Sequence, residues 1–254
     1  MTAASVAGMP RYFGLHHALF GIYHAAATPR GALLLCPPLG QEMIRSQRTY
    51  RLLAQALAER GHAVLRFDYR GTGDSADEGG TPSWASCCAD IGTAAQELRN
   101  ACGLDTVSAF GARLGANLAM AAVDSARLDS VMALDPVCDG AQFVADMDAL
   151  QSHLLLDGNR FLQPRRDMDP HAEWVGFSPG LLRDELSRIR WQPGAALRFQ
   201  IDSTPPARTD ATPACLTVSV AQPIPWMDLD AQEDVIIAHD IVQAVIAHVA
   251  SRAA

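Results

Sequence analysis

The chain reads as one α/β domain built on a mostly parallel sheet, and three observations carry that reading. Apolar runs such as Ala32–Cys36 and Ala63–Phe67 are too continuous for a strand with one wet face, so they belong in a sheet covered on both sides. Between them, Arg48 to Arg60 places apolar residues at Tyr50, Leu52, Leu53, Ala56 and Leu57, a helical period closed by Gly61. Strand, helix and strand in that order form a crossover unit, which makes the strands parallel. Finally, 254 residues with 49% hydrophobic content suffice for one large core with an insertion.

The remaining elements follow in order. The first residues show no strand or helix pattern, and Ala18–Tyr23 is the first strand, followed by a turn at 27–31. A second helix over about Trp84–Cys102 ends at Gly103, and a strand at Thr106–Phe110 leads into a helix over Leu114–Val123. Strand Val131–Leu134 runs into Asp135-Pro136. From 139 to 191 the pattern changes to polar helices with several prolines and no strand signal, which predicts a helical cap over the carboxyl edge of the sheet. The core is then 1–138 and 192–254, completed by strands Leu197–Asp202 and Cys215–Val220 and a helix over about Asp234–Ala250.

Two motifs sharpen the fold. One is the loop Asp68-Tyr69-Arg70-Gly71-Thr72-Gly73-Asp74-Ser75, where the glycines permit a tight backbone at the end of a strand, beside the site's mouth. The other is Gly111-Ala112-Arg113-Leu114-Gly115, the frame of a nucleophile elbow. With the element order, these resemble the α/β-hydrolase superfamily over essentially the whole chain. The segments Cys36–Met43, with Arg45 and Arg48, and Gly111–Ala116 resemble more closely the exosortase A system-associated hydrolases. That resemblance implies an α/β-hydrolase fold with a helical cap and a shared arginine in the elbow.

Arginine at position 113 takes the place of a serine, and a guanidinium stays protonated and cannot attack a carbonyl. The histidine is missing too, because the loop Ala221–Asp228 after the last strand contains none. His239 is the next histidine, read as a base or as a packed or capping helix residue. Asp202 and Asp135 stand at acid positions, where an aspartate also serves as a turn or cap residue. Cys36, Ser46 and Ser75 are the substitute nucleophiles to weigh, each with a packing, N-cap or turn explanation.

Arg113 admits two roles. At a helix N-terminus, its guanidinium can bind a carboxylate, phosphate or sulfated group bidentately, or a developing oxyanion. Alternatively it is half of a structural ion pair, with Glu42 as the expected partner, since an unpaired buried charge costs several kcal/mol. The oxyanion loop lacks the usual His-Gly pattern, and Pro38 has no N–H, leaving Leu39, Gly40 and Leu114 as amide donors.

Composition narrows the chemistry further. All 20 basic residues are arginine, which excludes a Schiff-base lysine and a P-loop lysine, and a GC-rich genome accounts for the bias. A net charge of −8 gives no basic patch for nucleic acid. The six cysteines contain no CxxC pair, so they read as reduced thiols in a cytoplasmic protein with no metal and no cofactor. No apolar run approaches the roughly 18 residues of a membrane span, and no leader pattern opens the chain. The expected partner is a small-molecule or acyl substrate, anionic where Arg113 binds it. Two functions remain open: a hydrolase of an ester, thioester or acylated glycan or metabolite without ordinary Ser-His-Asp catalysis, and a non-catalytic ligand-binding or scaffolding descendant in a polysaccharide or secondary-metabolite pathway.

Overall fold

The computed structural model describes residues 8–76, 82–203, 215–220 and 222–251. The strands are β1 Met9–Phe13, β2 Leu19–His24, β3 Gly31–Cys36, β4 His62–Phe67, β5 Val107–Ala112, β6 Leu128–Leu134, β7 Leu197–Asp202 and β8 Leu216–Ser219. They form one sheet in the order β1-β2-β4-β3-β5-β6-β7-β8. β1 and β2 are antiparallel to their neighbours, and every pairing from β4–β3 to β7–β8 is parallel. The helices are α1 Gly40–Ala58, α2 Trp84–Cys102, α3 Leu114–Ala121, α4 Val123–Ala126, α5 Gly140–Leu156, α6 Leu182–Ser187 and α7 His239–Ser251. The arrangement is the α/β-hydrolase fold that the motif order predicts.

Both faces of the sheet are buried because successive residues of a strand point to opposite sides. In β3, Leu34 and Cys36 enter a core with Ile91, Leu98 and Leu118 of α2 and α3, whereas Leu33 and Leu35 enter a second core with Leu53 and Leu57 of α1 and Val245 of α7. Each fully buried leucine contributes about 1.5–3 kcal/mol. The register of β3 against β5 sets Cys36 opposite Gly111, which brings the carboxyl ends of both central strands to one place.

Three elements depart from expectation, each for a tertiary reason. Helix α1 begins at Gly40, not Arg48, because its first turns bury the polar residues Glu42, Arg45, Ser46 and Thr49, which hydropathy reads as exposed. Ser46 is therefore a helix residue and not a helix start, its hydroxyl donating to Met43 O at 3.2 Å. Helix α7 starts at His239, not near Asp234, because Ile236 is held against α1: its N–H donates to Arg45 O at 2.8 Å and its carbonyl accepts from Thr49 Oγ1 at 2.7 Å. The strand β1 is exposed along most of its length and contains Pro10, so it carries no alternation for a sequence pattern to detect.

Between Cys138 and Trp191 the chain leaves and returns at one neck, with Gly140 N–H donating to Ile189 O at 2.9 Å and Trp191 N–H to Cys138 O at 3.0 Å. Phe143, Met147, Trp174, Leu182 and Leu186 of this segment join the core that contains α2 and α3. Asp148 gathers the segment together, accepting from Trp174 Nε1 at 2.8 Å and from both terminal nitrogens of Arg183.

Candidate functional site

The site forms where β5 turns into α3. Arg113 stands at that turn with φ 52° and ψ −129°, a strained conformation for a residue with a side chain. The frame glycines are sterically required. A Cβ on Gly111 would lie 2.5 Å from the carbonyl carbon and oxygen of Gly115, and one on Gly115 would lie 2.4 Å from Cys36 O. The turn is anchored by Arg113 N–H donating to Leu134 O at 2.9 Å. Tyr50 braces it from α1: its hydroxyl accepts from Ala112 N–H at 3.0 Å and donates to Cys36 O at 2.8 Å, bridging the ends of β5 and β3.

The raised side chain is held from three directions. Arg113 Nε donates to Glu42 Oε1 at 2.8 Å, and its Cζ lies 5.5 Å from the ring centroids of both Phe143 and Trp226. Aromatic faces suit a cation. Nη2 approaches Met227 Sδ at 3.9 Å, a weak contact, and Nη1 makes no hydrogen bond among the described residues. The pair is largely covered, with 14% of the Arg113 side chain and 6% of the Glu42 side chain exposed. Burial pushes the Glu42 carboxyl above its ordinary range, and the Arg113 charge and hydrogen bond offset only part of this.

Trp226 completes the arrangement from the loop after β8. Its indole N–H donates to Asp135 Oδ2 at 2.8 Å while its ring faces Arg113. Asp135 follows β6 with φ 43° and also accepts from the N–H of Ser203 at 2.6 Å and from the Ser203 hydroxyl. Trp226 thus stands between Asp135 and Arg113, in the loop where the fold order leads one to expect a histidine. An indole donates but cannot accept a proton, so it is no general base. Arg45 fixes the loop that carries it, donating to Pro225 O at 3.0 Å, Trp226 O at 3.1 Å and Asp234 O at 3.2 Å.

The structure therefore brings together Arg113, Glu42, Leu39, Gly40 and Leu114, the last three at the N-terminal ends of α1 and α3, whose first N–H groups have no intrahelical acceptor. It does not bring in His239, which is exposed at the start of α7, its ring bonded to no described residue. Asp202 ends β7 with its carboxylate accepting from Gln200 Nε2 at 2.9 Å, whereas Trp226 turns to Asp135. Of the substitute nucleophiles, Cys36 is buried and its thiol pKa is pushed up by desolvation. Ser75 is consumed in its loop, donating to Asp68 O at 2.6 Å and accepting from Phe20 N–H at 2.9 Å. The Asp68–Ser75 loop is linked to the loop after β3 by Tyr69, whose hydroxyl donates to Pro37 O at 3.3 Å. Ala221 lies outside the described residues.

A cavity of about 20 Å³ adjoins the pair, bordered by Leu39, Glu42, Leu114, Phe143, Trp174 and Trp226 among others. That is room for one or two waters. Among the described residues no group of three or more His, Cys, Asp or Glu side chains could hold a metal ion.

The family model described as serine aminopeptidase, S33, matches residues 27–156, just over half of the chain. The chain belongs to this family of α/β hydrolases. Among solved structures, this S33-family chain is similar to a proline iminopeptidase-related protein from Thermus thermophilus, at 19% identity over 78% of this chain and 80% of that one, with a TM-score of 0.52. It is also similar to an α/β serine hydrolase without lid from Xanthomonas campestris, at 18% identity over 80% and 73% of the two chains, with a TM-score of 0.45. A thermostable carboxyl esterase from Bacillus coagulans aligns at 16% identity over 61% of this chain and 52% of its own, with a TM-score of 0.44. At such identities the likeness is one of fold. No curated relative matches the sequence.

Proposed function

We propose that this S33-family chain is a hydrolase-fold protein that takes an ester, a thioester or an acylated glycan or metabolite, with Arg113 holding the acyl oxygen or carboxylate. The observation that carries the reading is the elbow guanidinium itself, bonded through Nε to Glu42 while Nη1 has no partner among the described residues. Segment 139–191 serves as the cap, since Phe143 and Trp174 wall the cavity beside the pair. The amides of Leu39, Gly40 and Leu114 are the further donors to a developing oxyanion. The S33 match and the resemblance to exosortase A system-associated hydrolases support an acyl substrate, and six unpaired thiols suit a reducing compartment.

Hydrolysis in such a site runs without an acyl-enzyme. Glu42 takes a proton from water as the water oxygen attacks the acyl carbon, and Arg113 meets the negative charge that gathers on the carbonyl oxygen. Collapse then breaks the bond to the alcohol or thiol, which leaves with the proton returned by Glu42. In this reading Asp135, through Trp226, supports the site, and Asp202 and His239 do not act as acid and base.

A second reading is a non-catalytic receptor, and Trp226 is the observation that favours it, because it occupies the base's place without a base's chemistry. A panel of aryl esters, acyl thioesters and O-acylated sugars separates the two. Turnover lost in both Arg113→Ala and Glu42→Gln supports hydrolysis, and turnover unchanged in both refutes it. A silent panel with retained, Arg113-dependent ligand binding supports the receptor.

A further inference from the structure

Glu42 already sits among charges of both signs before any ligand enters. Arg113 from the elbow and Arg45 from α1 are cationic, Asp135 after β6 is anionic, and Tyr50 of α1 faces the same carboxylate as a neutral phenol. Asp228 and Asp234, in the loop after β8, offset Arg45 from behind. The segment that covers the cavity adds only the uncharged side chains Phe143, Met147, Leu150, Trp174 and Phe177.

A carboxylate bonded to the remaining N–H groups of Arg113 brings one more negative charge beside Glu42. Two carboxylates sharing one guanidinium in a poorly hydrated site do not both stay ionised, because their repulsion adds to a desolvation cost already borne by each. Glu42 is the group to neutralise, since it is deeply covered and desolvation already raises its pKa. The walls identify the rest of the ligand: Glu42, Phe143 and Trp226 border both the guanidinium and a cavity whose other walls are mostly leucine, methionine and aromatic side chains, with Gln41 and Gln232; at about 20 Å³ it takes an alkyl or aryl chain only once segment 139–191 shifts.

We propose that the site binds the carboxylate of an apolar acid together with one proton, which Glu42 takes up. This deepens the reading of Arg113 above and rests on it, the acid being the product that acyl hydrolysis would leave. In the pH range where Glu42 is ionised in the free protein but protonated in the complex, affinity for the acid falls about tenfold per pH unit, one proton being bound per ligand.

Calorimetry of the full chain with octanoate in two mildly alkaline buffers of different ionisation enthalpy measures the proton directly. The expected result is uptake of about one proton per octanoate in the wild type and none in Glu42→Gln, with binding kept in that variant and lost in Arg113→Ala. Octanamide, being neutral, should bind with no uptake. Bound octanoate without uptake overturns the inference and leaves the Arg113 reading standing, whereas octanoate binding that is absent, or indifferent to Arg113→Ala, overturns both. Uptake that persists in Glu42→Gln puts the proton on the ligand and overturns the role of Glu42. Should Glu42→Gln fail to fold, infrared difference spectra of the wild type with carboxyl-¹³C octanoate decide: a protonated-carboxyl band that ignores the label supports Glu42, and one that shifts with it refutes it.

Discussion

At the scale of single residues, the site is a set of exchanges that each carry a measurable consequence. Because the folded state raises the Glu42 pKa above its ordinary 4.5, this acid favours folding when protonated. Its contribution is full below that unfolded value and is lost as pH rises through the folded one. Urea unfolding across pH should therefore show wild-type stability declining over this window relative to Glu42→Gln. At neutral pH, Arg113→Ala strands a covered carboxylate and should cost about 3 kcal/mol, most of it recovered when Glu42→Gln is added. Trp226→Phe keeps a ring near Arg113 but removes the indole donor from Asp135, an expected loss of about 1–2 kcal/mol by the same measurement. Glu42 was legible as the partner of Arg113 because a buried guanidinium needs an acid and the oxyanion loop carries one. Trp226 was not, since its bond to Asp135 spans 91 positions.

At the scale of elements, the elbow is a close packing of backbones rather than a chain preference. Gly115→Ala would drive a Cβ into the carbonyl of Cys36 at 2.4 Å, and neither partner is a flexible side-chain end. The expected outcome is a loss of about 3 kcal/mol or failure to fold, read by thermal denaturation. By contrast, the capping box of α2, where Ser83 accepts from Ser86 N–H at 3.1 Å, is local, and Ser83→Ala should cost only about 1 kcal/mol. The same division explains what could be read beforehand. Helix α2 and its end at Gly103, in the left-handed region at φ 72°, follow from local signals. The true start of α1 does not, because Arg45 and Thr49 are buried by bonds to the loop between β8 and α7.

Across the whole molecule, segment 139–191 is tied to the loop after β8 by Arg160. Its Nη2 donates to Leu229 O at 3.1 Å, its Nη1 pairs with Glu233, and Asp157 holds its Nε at 3.1 Å. The cavity beside Glu42, walled by Phe143, Trp174 and Gln232, is too small for an acyl chain, so on the proposed function ligand entry requires the 139–191 segment to move. Arg160→Ala should speed ligand association several-fold and raise acrylamide quenching of tryptophan fluorescence, with little change in the unfolding midpoint of the core. Equal quenching in variant and wild type would show that the tie does not govern access. No helix among the described residues is long and apolar enough to cross a membrane.

The sequence by itself determined the sheet, the helices that cover it and the elbow, because apolar periodicity and glycine spacing act over a few residues and survive any tertiary arrangement. It also determined that Ser-His-Asp catalysis has no serine at the elbow. Only the tertiary structure decided that a tryptophan bonded to Asp135 faces Arg113, that Tyr50 and Arg45 brace the site, and that His239 stands outside it. Those facts depend on where strand ends and loops meet in space. Such meetings are set by burial and by the hydrogen bonds that buried polar groups must find, and no local pattern encodes them.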